Sequence, residues 1–179
     1  MLLSVLIPCF NEKNTIERIV GKINKLENLN IEIIIIDDNS IDGTREILKN
    51  EIKNQVSQII FNEENHGKGY CVKKGIEAAT GDIILIQDAD LEYDPKEYFK
   101  LIKPINDGNA DVVYGSRFIG GDERRILFFW HTVANKLLTF LSNMFTNLNL
   151  TDMETCYKVF KKDLMQRIDL KEKGFGFDP

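Results

Sequence analysis

Apolar residues follow two alternating rhythms along this chain. Short runs of aliphatic and β-branched residues occur at "LSVLIP" (Leu3–Pro8), "IEIIIID" (Ile31–Asp37), "SQIIF" (Ser57–Phe61), "DIILIQ" (Asp82–Gln87) and "ADVVYGSRF" (Ala110–Phe118). These runs predict strands, and the near-continuous isoleucine of the second suits a parallel sheet covered on both faces. Between them the apolar positions recur every three or four residues. Ile16, Ile19, Val20, Ile23 and Leu26 predict a helix with Asn14 as its N-cap. "DGTREILKNEIK" predicts a turn and a helix, and "GKGYCVKKGIEAATG" a helix closed by Gly81. "PKEYFKLIKPI" predicts a helix with Pro95 near its first turn.

The rhythm changes after Arg117. Ile126–Leu150 is rich in Leu, Phe and Trp, with Val133, Leu137, Leu138, Leu141 and Phe145 at helical spacing. Its apolar side reads most simply as core or a helix–helix contact. The alternative is a surface lying on a membrane, supported by "FFWH", Arg124, Arg125 and Lys136. A short strand at Cys156–Phe160 and a further helix follow.

Strands and helices that alternate with short connections predict one α/β domain built on a Rossmann-like, mostly parallel sheet flanked by helices. Ligands of such sheets sit beyond the carboxyl ends of the strands. Four strands end there in polar segments: "PCFNE", "DDNSIDGT", "DADLE" and "GSR". The pattern therefore predicts that all four line one crevice.

Composition narrows the class. With 179 residues, 43% of them apolar and 28% charged, the chain encloses a core rather than staying disordered. The net charge of −5 argues against a general nucleic-acid binder. Lys and Arg cluster at Arg124-Arg125 and Lys158–Lys162, which reads as solvated surface. Three dispersed cysteines offer neither a disulfide framework nor a CxxC site, which points to a reducing compartment, and two histidines exclude a His-rich metal site. "MLLSVLIPCFNEK" lacks a basic leader and reads as a first strand. No apolar run approaches the ~20 residues of a spanning helix. The abrupt end at "GFGFDP" predicts a chain truncated at its C-terminus.

Crowded carboxylates repel and raise one another's pKa, so Asp88, Asp90, Glu92 and Asp94 after an apolar run need water or a cation. Asp-x-Asp can hold Mg²⁺ or Mn²⁺, hard ions that take oxygen ligands and share them with substrate phosphates. A loop of solvated acids is the other reading. Asp38 in "DDNSIDGT" is a candidate acceptor of hydrogen bonds from a base or ribose, or part of a turn. "HGKGY" could offer backbone N–H groups to phosphate or be a tight turn. Arg117 suits phosphate pairing or a salt bridge. Asp152 and Glu154 fall on one face if "TDMET" is extended, where a carboxylate could act as a general base or serve only as a turn acid.

Taken in order, "SVLIPCFNE", "IIIIDDNSIDGT", "NHGKGYCVKKGIEAATGD", "IQDADLEYDP", "YGSRF" and "ANKLLTFLSNMFTNLNLTDMETCYKVF" resemble the family-2 glycosyltransferases of the GT-A fold. Within them the chain looks like the dolichol-phosphate mannose synthase branch and its bacterial polyprenyl-phosphate relatives. The resemblance implies that residues 1–179 form the catalytic domain. It implies that Pro8, Phe10 and Glu12 line a nucleotide pocket and that Ile36 and Asp38 contact base and ribose. Asp88, Ala89 and Asp90 would bind metal and diphosphate, with Glu92 where relatives often have Gln as a further metal ligand. Arg117 would engage phosphate, and Asp152 would be the acid near the acceptor. Where relatives commonly read "TSG" and an aromatic, this chain reads "METCYKVF". The implied reaction is metal-dependent inverting transfer of a hexose from a nucleotide sugar of the GDP-mannose or UDP-glucose type to a polyprenyl phosphate, with Mg²⁺ or Mn²⁺, at the inner face of the cell membrane. A saccharide-hydroxyl acceptor, or sugar-nucleotide binding without turnover, are the alternatives. A nucleotidyltransferase would show a basic glycine-rich loop after its first strand, and a dehalogenase-like phosphatase its D-x-D there; neither fits.

Overall fold

A computed structural model of the chain describes residues 1–118, 129–168, 170–172 and 174. Six strands form one sheet: β1 (Leu2–Cys9), β2 (Asn30–Asp37), β3 (Gln58–Phe61), β4 (Ile83–Ile86), β5 (Val112–Tyr114) and β6 (Lys158–Lys161), in the order β3-β2-β1-β4-β6-β5. The first four run parallel. β6 lies antiparallel between β4 and β5, so β5 shares the direction of β4. The helices are α1 (Ile16–Asn24), α2 (Thr44–Ile47, extended by a π-helical turn over Leu48–Ile52), α3 (Lys68–Ala78), α4 (Tyr98–Asn106, preceded by a 3₁₀ turn at Pro95–Glu97), α5 (Phe129–Thr146) and α6 (Lys162–Met165).

Successive side chains of a strand point to opposite faces, and here each face has its own helical cover. Val5, Ile7, Ile33, Ile35, Ile83 and Leu85 pack against α1, Leu48, Ile52 and α4. Leu6, Ile34, Ile36, Ile84 and Ile86 pack against Cys71, Val72 and Ile76 of α3 and against Phe160 and Met165. Neither face meets water, so the central strands are aliphatic at almost every position. Each fully buried aliphatic side chain contributes about 1.5–3 kcal/mol.

Two local expectations change. Thr15, not Asn14, holds the N-cap position of α1, and its hydroxyl bonds back to Glu12. α3 ends at Ala78 with Ala79 as C-cap. Gly81 is required for close approach instead: a Cβ there would sit 2.6 Å from Ser4 Oγ and 2.7 Å from the Leu2 carbonyl oxygen.

α5 reverses the expected orientation. Val133, Leu137, Leu138, Leu141 and Phe145 are 38–82% exposed, and the residues α5 buries are Asn135 and Thr139. Thr139 Oγ1 donates to Asn135 Oδ1 (3.2 Å), and Met153 N donates to Thr139 Oγ1 (3.2 Å). Asn143 exchanges two 2.8 Å hydrogen bonds with the backbone of Leu150. Positions 135, 139 and 143 form one stripe at four-residue spacing, and their partners all lie in the following loop. The helix is therefore tethered by its polar side and turns its apolar side outward. Among the described residues no helix is long and apolar enough to cross a membrane. Arg124, Arg125, Ile126–Phe128 and Phe175–Pro179 lie outside the described residues.

Candidate active site

β1 is the strand at which the order reverses: the chain proceeds through β2 to β3 on one side and then places β4 on the other. α1, which follows β1, covers one face of the sheet, and α3, which leads into β4, covers the other. A crevice forms at such a switch point, beyond the strand ends.

The exits of β1 and β2 make one wall. Asn11, at φ 58°, donates its N–H to Ser40 Oγ (2.9 Å) and accepts from Ile41 N at its own Oδ1 (2.9 Å). Glu12 N donates to Thr44 Oγ1 (2.9 Å). The Glu12 carbonyl accepts from Thr15 N and Ile16 N at the start of α1. Phe10 stands at the rim, 47% exposed. Pro8 is half-buried and pairs with Ile36 across the ladder. Ile36 itself is fully buried in the cluster with Leu6 and Cys71, so its side chain belongs to the core and not to the crevice.

Asp38 is also buried. It accepts from Asn62 Nδ2 (2.8 Å), His66 N (3.0 Å) and Gly67 N (2.7 Å). Two backbone amides of "HGKGY" are thus committed to this carboxylate and not presented to a phosphate. Its neighbour Asp37 takes Arg45 Nε at 2.7 Å, while its Oδ1 is buried without a hydrogen-bond partner.

The Asp88–Glu92 turn follows β4. Asp88 is partly exposed and pairs with Lys68 Nζ at 2.9 Å. Ala89 is buried in the core. Asp90 and Glu92 are exposed, and Glu92 N donates to Asp90 Oδ1 (2.9 Å). Partial desolvation by the surrounding loops and the like charges of Asp88, Glu92 and Glu12 raise the pKa of Asp90, against the lowering effect of that one amide. Leu91 holds φ 67°, unusual for a bulky residue.

Beyond β5, Arg117 and Asp152 form a bidentate pair: Nε donates to Oδ2 and Nη2 to Oδ1, both at 2.8 Å. Arg117 N and Asn135 Nδ2 add donations at 3.0 Å each. Burial alone would raise the pKa of Asp152, but the Arg117 bonds outweigh it and hold the carboxyl below its ordinary value. The same pairing raises the pKa of Arg117 further. Glu154 is exposed whereas Asp152 is buried, so the two do not act as a pair.

Sequence reasoning did not single out Lys68, Gln87, Asn135 or Cys156. Gln87 is fully buried directly behind Asp88, and Cys156 is buried with Sγ 3.9 Å from the Ile86 carbonyl oxygen. A polar residue closing an aliphatic strand, and a stripe of Asn and Thr in an apolar helix, were the available signals.

Among the described residues, no group of three or more His, Cys, Asp or Glu side chains is arranged to hold a metal ion. Asp88, Asp90 and Glu92 therefore form no closed cage. The donor set still fits a hard divalent cation, which is bound through one or two carboxylates and completes its shell with water and substrate phosphate. The crowding that raises the pKa of Asp90 is the condition such an ion relieves.

Similarity to known proteins agrees with this geometry. The chain is 28% identical over 178 residues to dolichol-phosphate mannosyltransferase of Pyrococcus furiosus, covering 98% of this chain and 50% of the relative. It is 30% identical over 178 residues to the low-salt glycan biosynthesis hexosyltransferase Agl6 of Haloferax volcanii, covering 98% and 42%. The chain thus spans about half the length of these curated relatives. Glucosyl-3-phosphoglycerate synthase from Mycobacterium tuberculosis, solved with Mn²⁺, UDP and glucosyl-3-phosphoglycerate, superposes with a TM-score of 0.74 at 22% identity, over 98% of this chain and 62% of that one. S. aureus TarS 1-349 gives a TM-score of 0.65 at 21% identity, over 93% and 48%. These likenesses show that the fold is GT-A. The family profile described as glycosyl transferase family 2 matches residues 4–169, and the chain belongs to that family.

Proposed function

We propose that this chain carries the catalytic site of a metal-dependent inverting glycosyltransferase that moves a hexose from a nucleotide sugar to a polyprenyl phosphate. The observation that carries the reading is the Asp88–Asp90 turn at the switch point of the sheet, where like charges crowd beside Lys68. The two curated relatives, a dolichol-phosphate mannosyltransferase and a hexosyltransferase, support it, as does the neighbour solved with Mn²⁺ and UDP.

In the proposed reaction the bond from the anomeric carbon to the nucleoside diphosphate breaks and its electron pair leaves with the diphosphate. An acceptor phosphate oxygen forms the new bond from the opposite face of the sugar. Asp88 and Asp90 would hold Mg²⁺ or Mn²⁺, with Glu92 adding to the local negative field. When bound, the ion supplies positive charge for the departing diphosphate. Lys68 keeps a second positive charge at that end. Phe10 offers its exposed ring to the base, and Asp38 shapes the pocket by pinning the His66–Gly67 loop.

Asp152 favours a phosphate acceptor over a hydroxyl. A carboxylate held by four donors and kept below its ordinary pKa is a poor general base. A phosphomonoester needs none, because its second pKa is ~6 and it is largely ionised near neutrality. Asp152 instead fixes Arg117. It occupies two of the five guanidinium N–H donors and leaves the other edge for an oxyanion. The outward apolar side of α5 gives the lipid chain a surface at the inner face of the membrane.

The test is a screen of the full-length protein with UDP-glucose, GDP-mannose and related donors, Mn²⁺ and undecaprenyl phosphate in vesicles, beside Asp90→Asn. One donor is expected to yield glycosylated lipid phosphate with wild type and none with the variant. Transfer that persists in Asp90→Asn, or that proceeds equally well with chelator, refutes the reading.

A further inference from the structure

The DxD turn is built on a polar cluster in an otherwise apolar core. Gln87 N continues the ladder, donating to the Leu6 carbonyl at 2.9 Å, and the Gln87 side chain is fully buried. Its Nε2 donates to the carbonyl oxygen of Asp88 at 2.8 Å. Its Oε1 accepts from Tyr98 Oη at 2.8 Å and from Tyr157 Oη at 3.0 Å. Tyr98 opens α4, and Tyr157 immediately precedes β6; both are at most 1% exposed. Tyr93 packs on Tyr157 with ring centroids 4.6 Å apart and accepts the Cys156 amide at its hydroxyl (3.1 Å).

A well-packed hydrophobic residue could fill this place without three polar groups needing mutual satisfaction. Polar groups in a dry interior are costly when any member lacks its partner. The turn they support is itself strained, because Leu91 is held in the left-handed region at φ 67°. Such conformations persist where the surroundings over-determine them.

We propose that Gln87 is a positioning residue: clamped by Tyr98 and Tyr157, its amide grips the Asp88 carbonyl from behind and fixes the turn that aims Asp88 and Asp90 at a divalent cation. The cluster links three elements to the turn, so α4 and the segment before β6 share in setting the metal geometry. This role rests on the functional reading above. It predicts a loss of metal affinity separable from any loss of stability.

The experiment compares the full-length wild type, Gln87→Met and the triple variant Gln87→Met/Tyr98→Phe/Tyr157→Phe. Three quantities are measured: melting temperature, Mn²⁺ affinity by electron paramagnetic resonance with UDP or GDP present, and amide exchange over residues 88–92 without ligand. Gln87→Met orphans two buried hydroxyls and is expected to melt lower. The triple variant removes the amide and both hydroxyls together and leaves only the Asp88 carbonyl, on the partly exposed turn, without its donor; it is expected to melt higher than Gln87→Met. Both variants are expected to bind Mn²⁺ about tenfold more weakly, equivalent to ~1.4 kcal/mol, and to exchange faster at 88–92. If affinity returns with stability in the triple variant, or is unchanged in Gln87→Met, the cluster is only core and the positioning role is refuted. A wild-type chain that takes no Mn²⁺ with either nucleotide refutes the functional reading, and the positioning role with it.

Discussion

Replacing Asp152 with alanine tests the electrostatic core of the site without any substrate. The carboxylate is fully buried and receives four hydrogen bonds of 2.8–3.0 Å, three from Arg117 and one from Asn135. Removing one partner of a buried pair costs about 3–5 kcal/mol. The Arg117 side chain is 28% exposed, so water recovers part of the loss and the lower end applies, about 3 kcal/mol. In a domain of this size that is a fall of about 9 °C in melting temperature. Arg117→Met should be worse, because it strands a carboxylate with no solvent exposure. Pairing it with Asp152→Leu should recover much of the loss. The pH dependence has a fixed sign. The pKa of Asp152 is lowered on folding, so its contribution is complete above the unfolded value, about 3.9, and is lost as pH falls through the lower folded value. Melting followed by circular dichroism from about pH 2.5 to pH 7 should therefore show the wild type and Asp152→Ala converging in acid. An alanine variant within about 2 °C of wild type at pH 7, or a double variant no more stable than Arg117→Met, would refute the pairing as described.

Other consequences are independent of that pair. Gly81→Ala should lose about 1–3 kcal/mol by denaturant titration, because its methyl group would meet the Leu2 carbonyl oxygen at 2.7 Å and Ser4 Oγ at 2.6 Å. Burial works against ionising Glu32, but hydrogen bonds from Ser4, Thr80 and Gly81 prevail and lower its pKa. Its support is therefore present above about pH 4.3 and lost as pH falls below it, and Glu32→Gln should flatten that part of the acid-melting curve. All three cysteines are buried; burial first and Asp38 second push Cys71 up to about 12, and Cys9 and Cys156 are also raised. A disulfide-exchange reagent at pH 8 should label no thiol rapidly in the native protein and three in denaturant. Leu137→Glu/Phe140→Glu should leave the melting temperature within about 2 °C, since both residues are exposed, yet abolish sedimentation with anionic vesicles.

The sheet was legible because its signal is dense. Uninterrupted aliphatic runs such as Ile33–Ile36 fit only strands covered on both faces, and strand polarity then brings four exits to one edge. α5 was legible as a helix but not in its orientation. Helical periodicity divides Val133, Leu137 and Leu141 from Asn135, Thr139 and Asn143; it does not say which half faces the protein. That was decided by partners in the 150–153 loop, Asp152 among them, which are tertiary facts. Gly81 was misread for a similar reason: a glycine after a helix suggests a cap, while the constraint here is the close passage of β1.

The acids show what physical separation adds to pattern. As a sequence, Glu12, Asp37, Asp38, Asp42, Asp88, Asp90, Glu92 and Asp152 form one population at the strand ends. In the fold they divide by the donors they hold. Asp37 takes Arg45, Asp38 takes Asn62 and two loop amides, Asp42 takes Thr44, and Asp152 takes Arg117. These carboxylates build the crevice walls, since each ties one exit loop within itself or to another loop. Asp90 instead holds a single local amide and remains exposed among like charges, with its pKa raised rather than lowered. An acid satisfied by the protein has little left to offer a ligand, whereas one crowded by like charge gains free energy when a cation arrives. The contrast between Asp152 and Asp90 therefore separates scaffold from the proposed cation site more sharply than the D-x-D spacing does.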